Sequence, residues 1–392
     1  MIRALLTPRL FDGDRWRGCC AVLLDGHMVR AIVGRDDIPP GTPCLELAGG
    51  FLAPGFIDIQ VNGGGGVLLN NSPDRAGIER MVAAHRATGT TAMLPTVISD
   101  TPAVQRAAAM AVRAAMAAGN SGVLGIHIEG PFFAAARRGT HRADMIREPS
   151  SEDLRWLAAL ASEVPTVVTL APEHLPAGAI ATLTAAGVRV CAGHTDASYQ
   201  QIAAARAEGL RGFTHLFNAM SPLASREPGA VGAALDGGDC WAGIIADGHH
   251  VHPASIRVAQ RALPAGKLCL VTDAMATVGD SRDWFELYGE RIEVRGGRLV
   301  NAEGALAGSA IGMIDAVRYC HREVGLPLVE CLRMASRYPA TFLGEEHRLG
   351  RIAPGYRADL LHLDNDLRVL DTWAAGQHQS HLQAGGQQDQ QA

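Results

Sequence analysis

The sequence predicts an α/β protein: a (β/α)8 TIM barrel with a small β-sandwich domain formed by both chain ends. Three observations predict it. Eight short apolar runs alternate with Ala-rich helical stretches. Strand-like patterning without helices marks the first fifty residues and the segment after Leu349. Glycine and proline cluster where one character gives way to the other, at Gly49, Gly50, Pro54 and Gly55. These shifts divide the chain into residues 1–52 with 350–376 as the sandwich and 53–349 as the barrel, followed by a disordered tail at 377–392.

The elements follow in order. Residues 21–24 and 27–33 flank Asp25-Gly26, a hairpin signal because both turn positions tolerate a positive φ. A further short strand fits 45–47. The eight apolar runs are 56–61, 91–97, 123–128, 167–171, 188–192, 212–215, 241–246 and 268–272. Between them 74–88, 103–118, 152–162 and 199–208 read as helices, several stopped by a glycine just past the end. Eight parallel strands with crossover helices suggest a closed barrel; periodicity alone leaves a doubly wound open sheet as the alternative. After the eighth run, 291–294 and 298–300 flank Gly296-Gly297 as a hairpin, an extra sheet or a lid. Helices at 313–324 and 328–337 follow, then β-like character over 352–363. Residues 377–392 are rich in Gln, His and Gly and show no apolar periodicity.

Composition bounds the function. The chain has 392 residues, 47% of them hydrophobic and 19% charged, which is ample for a large buried core. Lys plus Arg number 35 against 40 Asp plus Glu, for a net charge of −5. With no long basic run, neither nucleic acid nor an anionic membrane is an expected partner. Residues 1–10 lack the apolar core and cleavage site of a signal peptide, and no apolar run approaches a membrane span. The eight cysteines include no CxxC pair and read as reduced thiols in cytoplasm.

In a parallel barrel the catalytic groups stand on the loops after the strands. The third run is followed by Glu129, the fifth is followed by His194, the sixth ends at His215 and the eighth is followed by Asp273. Glu129, His194 and His215 are hard and borderline ligands for a divalent ion with one position left for water. Asp273 would face that water and carry its proton, which describes a metal-assisted hydrolase. Taken singly, each residue has a blander use: Glu129 beside Pro131 or Asp273 alone would serve as caps, and a strand-end histidine as a hydrogen-bonded packing residue. Their joint placement on one rim is harder to explain that way.

The motifs, in chain order, are Ala53-Pro-Gly-Phe-Ile-Asp58, Gln60-x-Asn62-Gly-x-Gly-Gly, His127-Ile-Glu-Gly-Pro131, Gly139-Thr-His141, Ala192-Gly-His194, Thr214-His-Leu-Phe-Asn-Ala-Met220, Arg226-Glu-Pro-Gly229, Ala246-Asp-Gly-His-His250 and Thr272-Asp273-Ala274. Over residues 5–370 this pattern resembles the N-acetylglucosamine-6-phosphate deacetylase family of the amidohydrolase superfamily. The resemblance implies removal of acetate from the 6-phosphorylated sugar, with Glu129, His194 and His215 as metal ligands. It implies Asp273 as catalytic acid/base and His141 as the imidazole that helps polarise the acetamide carbonyl. Asn218 and Ala219 would meet the phosphate through backbone N–H groups. Arg226 and His250 would reach the phosphate in the neighbouring subunit's site, implying a homodimer; His249 leaves open which imidazole touches it. Gln60 and Asn62 stand where many amidohydrolases place a His-x-His pair for a second metal. The resemblance therefore implies one divalent ion per subunit, zinc first, with iron, cobalt or manganese as alternatives. Two other readings stay open: a deacetylase of N-acetylgalactosamine 6-phosphate, and a catalytically inactive homologue that only binds.

Overall fold

The computed structural model describes residues 2–301 and 304–381. Eight parallel strands lie side by side in chain order: Phe56–Val61, Thr90–Ile98, Ile126–Glu129, Thr166–Leu170, Arg189–Ala192, Gly212–Phe213, Trp241–Ile245 and Leu268–Val271. The open-sheet alternative fails because the first and eighth strands meet at their C-terminal ends. Val61 bridges Ala274 in parallel, and Asp273 N–H donates to the Gln60 carbonyl at 3.0 Å. The strands are short, near-continuous apolar runs because a parallel sheet wrapped by helices is buried on both faces. The first strand keeps its expected ends, and those of the others shift by at most three residues.

The crossover helices begin where short polar side chains satisfy their free N–H groups. Asp74 caps Arg75–Arg86, and Thr101 caps Pro102–Ala117 with proline in the first turn. Ser150 with Asp153 and Ser198 with Gln201 form reciprocal capping boxes on Ser151–Ala161 and Tyr199–Ala207. One expected helix is corrected. Residues 328–337 do not form a single helix: the chain breaks at Ser336 between Leu328–Ala335 and Arg337–Leu343. Pro339 explains the break, since it has no N–H for the Ala335 carbonyl that a continuous helix would require, yet it fits the first turn of a new one.

Both chain ends contribute to a second set of sheets. A four-stranded sheet orders Met28–Val33, Cys20–Asp25, Ile2–Thr7 and Cys44–Glu46. A six-stranded sheet orders Gln377–Ser380, Val369–Ala374, Leu360–Leu363, Phe51–Pro54, Leu10–Phe11 and Trp16–Arg17. Leu5, Leu10, Val22, Leu24, Leu52, Leu360 and Trp373 share one core cluster. Within 352–363 only Leu360–Leu363 is a strand. The expected tail needs correction too: Gln377–Ser380 is an edge strand paired with Val369–Ala374, while residues 382–392 lie outside the described residues. The hairpin after the eighth strand gains a third strand, giving Trp284–Leu287, Glu290–Arg295 and Arg298–Val300. It packs Phe285, Leu287, Ile292 and Leu299 against Ile98 and Met275 at the barrel rim. Among the described residues no helix is long and apolar enough to cross a membrane, and the eight cysteines are free thiols.

Candidate active site

A cavity of about 250 Å³ opens at the C-terminal rim, lined by Asn62, Glu129, His141, His194, His215, Asn218, Ala219, His250 and Asp273 together with Ile98, Met275 and Leu306. Strand geometry delivers these groups. Glu129 is the last residue of the third strand, and His194, His215 and Asp273 each stand two residues past theirs. All three of the latter sit at positive φ, at 50°, 34° and 52°. Side chains rarely adopt that region, and such strain persists where surrounding structure over-determines the backbone, commonly at functional sites.

The polar atoms converge tightly. His215 Nε2 lies 3.0 Å from Glu129 Oε1 and 3.1 Å from His194 Nε2, and His194 Nε2 is 3.3 Å from Glu129 Oε1. Ligand atoms of Glu129, His141 and His194 fall within 4.8 Å of one another. Burial opposes ionisation of Glu129, but hydrogen bonds and charge from His194 and His215 outweigh it and hold the carboxyl well below its usual range. Asp273 moves the other way, pushed up to about 6 by burial and then by the charge on Glu129. Burial holds His141 and His194 below the ordinary imidazole value, whereas Glu129 raises His215.

The donor set fits a divalent cation. His194 Nδ1 faces the Arg137 carbonyl at 2.9 Å, so Nδ1 carries the proton and Nε2 turns a lone pair toward a carboxylate. A positive charge between them, whether a second ring proton or a cation, makes that contact favourable. A tetrahedral ion with bonds of about 2.0–2.1 Å separates its ligands by roughly 3.3 Å, close to the spacings among Glu129, His194 and His215.

Gln60 and Asn62 turn donors inward. Gln60 Nε2 lies 3.2 Å from both Glu129 oxygens and from Asp273 Oδ1, and Asn62 Nδ2 donates to Asp273 Oδ1 at 2.6 Å. Their amide groups hold the two carboxylates in place.

Two expectations, those for His250 and Asn218, change on contact with the structure. His250 was expected to act across a subunit interface, but it lines the cavity of its own chain because Asp247 accepts from its Nδ1 at 2.6 Å and turns the ring inward. His249 is exposed outside that cavity. Asn218 reaches the cavity, yet its backbone N–H already donates to the His215 carbonyl at 3.0 Å; the Ala219 N–H has no acceptor among the described residues. Arg226 is exposed and stands outside the cavity of its own chain.

Sequence reasoning passed over two residues here. Asp58 is fully buried behind Asp273, accepting from Thr272 Oγ1 at 2.5 Å and from the Gln60 and Thr272 backbone N–H groups. Burial pushes its pKa up to about 7. Its signal was the alternation Asp58, Gln60, Asn62, which share one face of the first strand. Ser99, just past the second strand, meets His141 Nδ1 with Oγ at 2.8 Å and with its backbone N–H at 3.3 Å.

A closed parallel barrel that gathers a carboxylate, imidazoles and a second carboxylate on one rim is a hydrolase architecture. Residues 51–385 match the Amidohydrolase family. The chain is 43% identical over 336 residues to an N-acetylgalactosamine-6-phosphate deacetylase of Shewanella, covering 86% of this chain and 84% of that one. It is 34% identical over 359 residues to an N-acetylglucosamine-6-phosphate deacetylase of Haemophilus influenzae, covering 91% and 93%. The crystal structure of N-acetylglucosamine-6-phosphate deacetylase from Pasteurella multocida superposes with a TM-score of 0.93 at 36% identity, covering 97% of this chain and all of that one. A point mutant of the Mycobacterium smegmatis enzyme in complex with N-acetyl-D-glucosamine-6-phosphate gives 0.88 at 32% identity, over 96% and 99%. The chain belongs to the amidohydrolase family, among relatives that deacetylate amino-sugar 6-phosphates.

Proposed function

We propose that the protein hydrolyses the acetamide of N-acetylglucosamine 6-phosphate to glucosamine 6-phosphate and acetate, in the cytoplasm. The observation that carries this reading is the Glu129, His194 and His215 cluster with Asp273 on the same cavity wall. Those three side chains hold one divalent ion, with zinc the leading choice and iron, cobalt or manganese as others. Bound there, the ion supplies Lewis-acid polarisation of the acetamide carbonyl and makes a water at the site easier to deprotonate. Asp273 takes the proton of the attacking water and passes it to the departing amine. Its raised pKa suits both directions of transfer near neutral pH. Its Oδ1 is aimed by Asn62 and Gln60. His141 donates to the carbonyl oxygen as negative charge develops there. Ala219 N–H and His250 bind the phosphate, joined by Arg226 of the partner subunit in a homodimer. An inactive binding protein would have no need to keep Asp273 beside an intact ligand set.

A second reading, deacetylation of N-acetylgalactosamine 6-phosphate, is favoured by the 43% identity to the Shewanella relative. Acetate release from the two sugar phosphates and from unphosphorylated N-acetylglucosamine decides. The glucosamine reading expects the highest kcat/KM on its own 6-phosphate and a fall of orders of magnitude without the phosphate. A preference for the galacto epimer supports the second reading, and equal turnover of the free sugar removes phosphate recognition altogether.

A further inference from the structure

We propose that Ser99 is a positioning residue that fixes the tautomer of His141 and thereby makes it a hydrogen-bond donor rather than a metal ligand. The inference rests on the reading of His141 as the group that meets the acetamide oxygen. Both polar neighbours of His141 Nδ1 come from Ser99: the hydroxyl Oγ at 2.8 Å and the backbone N–H at 3.3 Å. A hydroxyl alone leaves the tautomer open, because it donates or accepts with equal ease. A peptide N–H can only donate. Nδ1 therefore presents its lone pair to Ser99, and the ring proton of the neutral imidazole sits on Nε2, the nitrogen left for the cavity.

The neighbouring His194 is wired the opposite way. Its Nδ1 faces the Arg137 carbonyl, which can only accept, so its lone pair is on Nε2. Two imidazoles whose rings lie 4.6 Å apart thus receive opposite roles from the backbone groups behind them, His194 as ligand and His141 as donor. Glu129, His141 and His194 are close enough to hold an ion by spacing alone, and the Ser99 contact is what sets His141 apart. The Ser99 peptide is itself held. Asn70 exchanges two hydrogen bonds with the Ile98 backbone, and Tyr288, at the turn of the rim sheet, donates to the Ser99 carbonyl.

The test uses the zinc-loaded protein labelled with ¹⁵N in its histidine rings, the His141 signals being assigned by their loss in His141→Gln. The expected result is a neutral His141 protonated at Nε2; protonation at Nδ1 overturns the proposal. Ser99→Ala removes the shorter of the two contacts, the hydroxyl, and keeps the peptide N–H that sets the tautomer, so it loosens the hold on the ring without moving its proton. It should lower kcat about tenfold, in the range for removing an outer hydrogen-bond partner of a site histidine, with KM within about twofold and zinc content unchanged. Turnover of Ser99→Ala within twofold of the parent, while His141→Gln is severely impaired, contradicts the positioning role and leaves the reading of His141 standing. If His141→Gln itself turns over normally, the underlying reading fails whatever Ser99 does. Should Ser99→Ala not fold, the spectrum of the parent protein still decides.

Discussion

Asp273 shows how far a residue's role can be argued from its surroundings. Two amide groups, a raised pKa and a strained backbone mark it as more than a loop cap. Asp273→Asn keeps the shape and the capping ability but cannot accept a proton. It is expected to keep its metal and bind substrate while kcat falls by about 10²–10⁴, the usual cost of losing general acid/base catalysis. Metal analysis beside steady-state kinetics checks this: normal turnover would make Asp273 a cap, and loss of metal would make it a ligand. Glu129, His194, His215 and Asp273 were legible because barrel strands announce their own ends and the residue types there are those metals need. Asp58 and Ser99 were not. A serine is not a metal-ligand type, and the Thr272 groups that hold the Asp58 carboxylate lie more than two hundred positions away in sequence. The inward turn of His250 depends likewise on Asp247, whose side-chain direction no spacing rule reports.

At the scale of the element, the loop bearing His141 is tied to the helix that follows it. Arg147 makes two hydrogen bonds to Asp153, at 2.6 and 2.8 Å, and Asp153 also completes the capping box with Ser150 on Ser151–Ala161. Burial raises the Asp153 pKa, but Arg147 and Ser150 outweigh it and hold the carboxyl down to about 2. Because the folded value lies below the unfolded one, the stabilisation is complete above about pH 4 and fades as pH falls toward 2. Asp153→Asn should therefore cost about 1–3 kcal/mol at pH 7. In urea unfolding the gap from the parent protein should close as pH is lowered toward 2; a constant gap at all pH values would mean that the charge is irrelevant. Elements with strong periodicity or good caps were readable, including all eight barrel strands. The misreadings have physical causes. Gln377–Ser380 is exposed along its length and held as a strand by backbone pairing and by His378 on Asp371, so no apolar alternation betrays it. The break at Ser336 follows from a single missing N–H at Pro339.

Across the whole molecule, the barrel supplies a cavity wall that already holds Glu129, His194, His215, Asp273 and the inward-turned His250, while Arg226 stands outside it. Leu223, in the same loop, is 57% exposed. A homodimer that buries this loop and lends Arg226 to the facing site accounts for both, and sedimentation should show a dimer. Random mixing of Arg226→Ala with Asp273→Asn then gives about half mixed dimers, each with one intact and one doubly damaged site. Activity should recover to about a quarter of the parent level; no recovery would place Arg226 in its own subunit's site, and full activity of Arg226→Ala alone would place it outside the site. The central claim is that one divalent ion, held by Glu129, His194 and His215, supports amide hydrolysis in this barrel. Its most direct test is to strip the protein of metal and follow acetate release from N-acetylglucosamine 6-phosphate as zinc is added back. The account predicts no activity in the stripped protein and a rise that levels off at about one equivalent per subunit. Full activity without metal, or a rise that continues to two tightly held ions, would contradict it.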